Sequence, residues 1–512
     1  MPDWTAGYVA DIGYTYGTYA ELNPQRIRLA FLMAGLVPPE TGTACELGFG
    51  QGMSVNIHAA ASTTTWYGTD FNPSQAGFAR ELAVASGADA HLYDQSFEQF
   101  CSRTDLPDFD YIALHGIFSW ISDENRAIVV DFIRRKLKVG GVLYISYNTQ
   151  PGWAAMAPLR DLMAEHANVM AAPGVGSTAR VEQSLTFVER LLATEPRYLR
   201  ANPMAKARFE KSRSQDPAYL AHEFFNRDWL PVTFSQLARW LEPAKLNFAC
   251  SANYLDHLDF INLTAEQRQL MADIDDPVFA QTTRDIIVNQ SFRRDYWVRG
   301  ARKLDTIALD EQIFQCRVML LTNREAVPLK ATGTLGEVSL NEEVYGPLLD
   351  RMAGHEALSI GDLMAYGNTI KLSRSKVLQA VFVLVGIGVV GMLQDQHTID
   401  RATPQAQKLN LHLCALARGG SQVQHLAVPA TGGPLKVDRF HQLFILARSM
   451  GSRDAQDWAA YAMSVLSRMG HRLTVDGKPM ESDTEQLEDL LNRATVFRDK
   501  ILPILVKLGV VA

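Results

Sequence analysis

The chain has 512 residues, enough for about three domains and a sizeable buried core, which excludes a small scaffold held together by disulfides or metal. It carries 49 basic and 56 acidic side chains, a formal net charge of −7, and has no long basic run, so a phosphate-backbone binder is excluded. Hydrophobic content of 47% and charged content of 21% place it among globular proteins rather than disordered or fibrous ones.

No basic start followed by an apolar core opens the chain, so the expected location is the cytoplasm. The five cysteines (Cys45, Cys101, Cys250, Cys316 and Cys414) are odd in number and far apart, which predicts a reducing compartment and no metal site. Strand and helix patterns then alternate: strands at 43–47, 66–70, 89–93, 109–114 and 141–146, with helices through Val55, from Pro73 to Ser86, near Phe97 and from Asn125 to Leu137. That order requires five parallel strands with helices on both faces. From Met156 to about Phe225 only helical stretches occur, broken at 171–177 and 202–204. A helix at Phe234–Leu241 and strands at Leu246–Tyr254 and Phe292–Arg299 resume the alternation and supply strands six and seven.

Beyond residue 306 come short strands at 317–321 and 337–340, three short helices and a VVGML strand, a pattern like a winged helix. The acidic chain gives it no basic recognition face, so it reads as a packing module without nucleic acid. The longest apolar run, Val377–Leu393, is interrupted by Gln379 and three glycines and predicts a buried helix, a turn and a strand, with no membrane insertion. The expected division is a core of 1–170 and 230–305, a helical insertion at 171–229, the winged-helix-like module at 306–400 and a mostly helical region at 401–512.

The first strand ends in Cys45-Glu46-Leu47-Gly48-Phe49-Gly50-Gln51-Gly52, an acid followed by three alternate glycines at the entry to a helix. Glycine lets a backbone approach a ligand closely, but Met53 follows Gly52, and the third glycine of a GxGxxG dinucleotide fingerprint is missing. Asp70 ends the second strand 24 residues after Glu46, a spacing suited to a carboxylate that accepts from two ribose hydroxyls. Asp94 ends the third strand in LYDQSF. Three such features on the carboxyl edge of one sheet point to a nucleoside-bearing cofactor. The fourth strand leads into His115-Gly116-Ile117-Phe118-Ser119-Trp120 and the fifth into Tyr147-Asn148-Thr149-Gln150-Pro151-Gly152-Trp153. With Tyr14, Tyr16 and Tyr19 of the N-terminal stretch, these loops offer aromatic faces to a cation at the same edge.

The ExGxGxG form resembles motif I of the class I S-adenosylmethionine-dependent methyltransferases. The HGIFSWI and YNTQPGW loops, the early GYTYGTYAELNP, the YLAHEFF segment at 219–225, NQSFRR at 289–294 and LAVPA at 426–430 resemble the members that carry a methyltransferase regulatory domain, a group that includes rickettsial protein lysine methyltransferases. The resemblance implies a Rossmann-like seven-stranded sheet with a helical insertion, and S-adenosylmethionine as cofactor. It implies a cofactor site of Glu46, Gly48, Phe49, Gly50, Gly52, Asp70, Phe71, Asp94, Gln95, Ser96, His115 and Gly116. His115, Tyr16 and Tyr147 are the catalytic candidates, and Tyr14, Tyr19, Trp120, Asn148 and Trp153 the substrate-binding ones; His222 and Glu223 are assigned a structural role. The expected reaction is methyl transfer to lysine side chains of a protein substrate. Transfer to a cell-envelope glycan or small molecule, and a non-catalytic cofactor-binding scaffold, are the competing readings.

Overall fold

The computed structural model describes residues 5, 7–172, 174–475 and 478–512. The first helix, α1 (Pro24–Met33), is followed by β1 (Thr43–Leu47), α2 (Met53–Ala61), β2 (Thr65–Asp70), α3 (Pro73–Ser86), β3 (Ala90–Asp94), α4 (Phe97–Cys101), β4 (Phe109–Leu114), α5 (Asp123–Lys136) and β5 (Leu137–Asn148). After the helical insertion come β6 (Leu246–Ser251) and β7 (Phe292–Arg299). All seven strands lie in one sheet of order β3-β2-β1-β4-β5-β7-β6, a Rossmann-like arrangement. The first five are parallel, and β7 runs antiparallel to both β5 and β6.

The strand order reverses between β1 and β4, and in open sheets of this kind the crevice outside the carboxyl ends at that point is where ligands bind. Glu46 and His115 stand at its two sides. The antiparallel entry of β7 has a second consequence: Phe292 pairs with Asn148, so the start of β7 arrives at the same edge as the end of β5. Inside the sheet, Arg293 lies between Asp285 (2.6 Å) and Asp295 (2.8 Å), and Tyr147 donates its hydroxyl to Asp295 at 2.7 Å. All four side chains are buried.

The insertion comprises α6 (Gln150–Trp153), α7 (Ala157–Val169), α8 (Ser177–Ala193), α9 (Arg197–Ala201), α10 (Pro203–Arg213) and α11 (Pro217–Phe224). It has its own apolar core, in which Trp153, Met163, Leu185, Phe209 and Leu220 are buried. Asn202 separates α9 from α10, which starts at Pro203, as the NPM break predicts. In the 306–400 region, a strand at Arg317–Leu320 pairs antiparallel with Leu358–Ser359 and Val390–Met392, and helices at Thr306–Gln315, Glu342–Met352, Ile360–Thr369 and Arg374–Gly386 pack on it. The helix at 306–315 was not foreseen. This unit shares one apolar core with α1 and a face of the large sheet, and Tyr254 stacks on Phe382 at 4.5 Å. The apolar run ending at Leu393 is the buried helix, turn and strand expected, and among the described residues no helix is long and apolar enough to cross a membrane. The five cysteines are free and buried.

A long helix at Gln396–Leu416 and a hairpin of His425–Val428 with Gly433–Lys436 cover α2, whose nine residues are all buried. Such cover leaves few polar options. His58 meets the Gly432 carbonyl at 3.0 Å, and burial pushes its pKa down to about 4, so the ring is neutral at pH 7.

Truncating Arg293 leaves two buried carboxylates facing each other without a cation. Arg293→Ala is expected to cost about 3–5 kcal/mol of stability, read as a lowered midpoint in chemical denaturation followed by tryptophan fluorescence. An unchanged midpoint would contradict the role assigned to this cluster.

Candidate functional site

At the end of β1 the chain turns through Gly48 (φ +74°) and Gly50 (φ +58°), conformations that side chains with a Cβ rarely adopt. A Cβ at Gly48 would also collide with Ile117 Cδ1. The turn is pinned by Asp70: its Oδ2 accepts from the Gly50 amide at 2.9 Å and its Oδ1 from the Asn72 amide at 2.9 Å. Next to this loop lies a cavity of about 230 Å³. Glu46, Gly48, Phe49 and Gly50 line it from the first loop, Asp70 and Phe71 from the second, Gln95 and Ser96 from the third, and His115 and Gly116 from the fourth. Tyr8, Tyr14 and Tyr19 close it from the N-terminal side.

Two polar atoms in this cavity lack what burial demands. Glu46 is 3% exposed and its Oε2 finds no hydrogen-bond partner among the described residues; Gln95 Oε1 is also buried and unpartnered. Burial, with the nearby Asp70 charge, pushes the Glu46 carboxyl up to about 8. Asp70 is pushed up to about 7 by burial, against the two amide bonds that favour its ionised form. Both orphaned atoms are acceptors. S-adenosylmethionine brings the matching donors, an ammonium group, ribose hydroxyls and an adenine amine, so the residues present fit this cofactor.

A second chamber of about 370 Å³ adjoins the first and shares Tyr8, Tyr14, Tyr19, His115, Gly116 and Trp120 as its wall. Its far side is Asn148 and Trp153 after β5, Arg208 from α10, Tyr219, His222 and Glu223 from α11, and Phe292 of β7. In the shared wall, His115 stacks on Tyr19 at 3.4 Å, and its Nδ1 lies 2.7 Å from the Tyr144 hydroxyl. Burial, with the Arg294 charge, pushes His115 down to about 3, so it is neutral at pH 7. Burial raises the hydroxyl pKa of Tyr8, Tyr14, Tyr19 and Tyr219, and these phenols stay protonated. Trp120 Nε1 donates to the Glu223 carbonyl at 3.1 Å, tying α11 to the loop after β4.

Four expected site residues lie elsewhere. Tyr147 is fully buried on the opposite face of the sheet and bonded to Asp295; alternation along β5 sends Tyr144, Ser146 and Asn148 toward the site and Tyr147 away. Tyr16 packs edge-on against Phe78 at 5.2 Å and lines neither chamber. Gly52 does not line the cavity either: with φ +71° it starts α2, and a Cβ there would collide with Ala79, so it seats α2 against α3. Asp94 is exposed and outside the lining, where its charge still raises Asp70.

Glu223 and His222, assigned a structural role from the sequence, line the second chamber together with Tyr219 and Phe292, which lie in the YLAHEFF and NQSFRR segments but were not assigned to the site, and with Arg208 and Tyr8, which the sequence reading did not single out. The available signal was the i, i+4 spacing of Tyr219 and Glu223, which puts both on one face of a short helix. His222 packs between the rings of Tyr8 (5.5 Å) and Tyr14 (5.0 Å) and so holds the N-terminal segment over the site. Among the described residues, none of 306–512 lines either chamber.

A methyltransferase domain model matches residues 45–145, and a model described as a predicted methyltransferase regulatory domain matches 216–299, the stretch from α11 through β7. A Synechocystis sp. protein, sll1526, is 36% identical over 512 residues, covering 99% of both chains. The Rickettsia prowazekii protein RP789 is 26% identical over 65% of this chain and 58% of its own. Among solved structures, PKMT2 from Rickettsia typhi in complex with AdoHcy superposes with a TM-score of 0.67, covering 94% of this chain and 98% of that one, at 15% identity, a likeness of fold.

The elevated Glu46 gives a pH signature. About nine in ten Glu46 carboxyls are protonated at pH 7 when the pKa is about 8, and a bound ammonium favours the ionised form. Binding of S-adenosylhomocysteine is therefore expected to release a proton and to strengthen from pH 6 to pH 8. Titration calorimetry in buffers of different ionisation enthalpy reads this, and Glu46→Gln is expected to weaken binding about tenfold or more and to flatten the rise above pH 7. A wild-type affinity independent of pH would contradict it.

Proposed function

Because the chain belongs to the class I S-adenosylmethionine-dependent methyltransferases that carry a methyltransferase regulatory domain, we propose that its acceptor is the lysine side chain of a protein. The observation that carries this reading is the second chamber: aromatic walls of Tyr8, Tyr14, Tyr19, Trp120 and Phe292 around a space with one carboxylate, Glu223, opening from the wall that holds His115. Aromatic faces and a carboxylate suit an amine that arrives as a cation. A glycan hydroxyl carries no positive charge for these faces to attract.

Glu46, Gly48, Gly50, Asp70 and Gln95 would hold the cofactor. Bound there, S-adenosylmethionine supplies an electrophilic methyl group on a sulfonium, open to in-line displacement by a nucleophile. The chain's own task is alignment and exclusion of water. The N-terminal tyrosines shield both chambers, the Tyr19–His115 stack fixes the shared wall, and the Gly116 amide is held by Ser146 Oγ at 2.8 Å, which sets the loop after β4. A lysine with its ordinary pKa near 10.4 leaves about one amine in a thousand or fewer neutral at pH 7, so the acceptor has to be desolvated and deprotonated. The insertion, which contributes Arg208, Tyr219 and Glu223, forms the entrance for a protein substrate in this reading.

Purified protein incubated with methyl-labelled S-adenosylmethionine and a lysate of its host is expected to place acid-stable label in protein lysine. Label confined to glycan or small molecules would overturn the reading. Phe292→Ala removes one aromatic wall, about 1 kcal/mol of cation attraction, and is expected to raise KM for the acceptor about fivefold with little change in kcat.

A further inference from the structure

We propose that Glu223 is the group that takes the proton from the acceptor amine, with Tyr219, Arg208 and Asn148 around its carboxyl. This rests on the reading of the acceptor as a lysine. The placement is the first argument. Glu223 is the one carboxylate among the described residues that line the second chamber, it stands on the side away from the glycine loop, and the bond from Trp120 Nε1 to its carbonyl fixes its turn of helix against the shared wall.

The surrounding charges are the second argument. Arg208 of α10, held over the Trp153 ring at 3.8 Å, and Arg160 of α7 face the carboxyl with the Asn148 amide and the Tyr219 hydroxyl, and all four favour its ionised form. Tyr8, Tyr14 and Tyr19 face it from the N-terminal segment and stay uncharged. Burial outweighs the cations and leaves Glu223 at about 7. His222, its neighbour on the helix, is pushed down by burial and is engaged by the tyrosine rings. His115, one of the catalytic candidates from the sequence, is at about 3 with its Nδ1 at the Tyr144 hydroxyl. Burial makes His115 the weaker proton acceptor of the two.

In the step assigned to Glu223, an N–H bond of the substrate ammonium breaks, its electron pair stays on nitrogen as the lone pair that attacks, and the proton forms an O–H bond with the carboxylate. The proton passes to water when product leaves, one per methyl transferred.

The test uses the full chain and the lysate protein fraction that takes label from the wild type. Wild-type kcat/KM is expected to rise tenfold per pH unit below about 7 and to level above it. Glu223→Gln is expected to lose about a hundredfold and the inflection with it, while binding S-adenosylhomocysteine within twofold of wild type. Tyr219→Phe removes a hydroxyl that favours the carboxylate and is expected to move the inflection upward by about half a unit; it decides the matter alone if Glu223→Gln fails to fold. A loss of less than tenfold in Glu223→Gln, or an unmoved inflection in Tyr219→Phe, overturns the assignment while wild-type label in lysine leaves the acceptor reading standing. Wild-type label absent from amines overturns both.

Discussion

The site depends on the Asp70 carboxylate. By accepting from the Gly50 and Asn72 amides it pins the glycine loop to the end of β2, beside the cavity where Glu46 Oε2 has no partner among the described residues. Burial raises both acids, and the Asp70 charge raises Glu46 further. α2, which follows the loop, is buried on every side by the 396–416 helix and the 425–436 hairpin. The C-terminal region therefore braces the cofactor loop from behind. It acts on the site through packing, and none of its described residues lines either chamber.

The second constraint is the direction of β7. An antiparallel strand beside β5 starts where β5 ends, so Phe292 meets Asn148 and the insertion between β5 and β6 is held over the same edge. That geometry divides the work. The parallel half of the sheet lines the first chamber, the insertion and β7 line the second, and His115, Trp120 and the N-terminal tyrosines form the partition. The family model that spans 216–299 covers α11 and β7 together, so the regulatory domain takes part in building the second chamber.

Strand and helix alternation made β1 to β5 legible, because each parallel strand is a short apolar run followed by a helix with a recognisable start. The acid and glycines after β1 were legible for the same reason: few other roles require that spacing. Strand direction leaves no periodicity, so the antiparallel β7 was not readable. Tyr147 was readable in principle, since alternation from Tyr144 puts it on the opposite face, but an aromatic loop motif outweighed that parity. Asp94 ends its strand as expected, yet its exposure depends on how the loop of Gln95 and Ser96 turns inward, which the residues alone do not specify. Glu223 was visible but sat in a helical insertion, and nothing in the sequence revealed that the insertion folds back over the sheet edge.

The central claim is that the reacting group points from the first chamber through the His115 and Trp120 wall into the second. A crystal structure with sinefungin, a cofactor analogue that carries an amine where the sulfonium methyl stands, tests it directly. The account requires the amino acid ammonium at Glu46, the ribose at Asp70 and the additional amine directed into the chamber that holds Glu223. An amine directed to bulk solvent or into the sheet, with the chamber left on the other side, would contradict it.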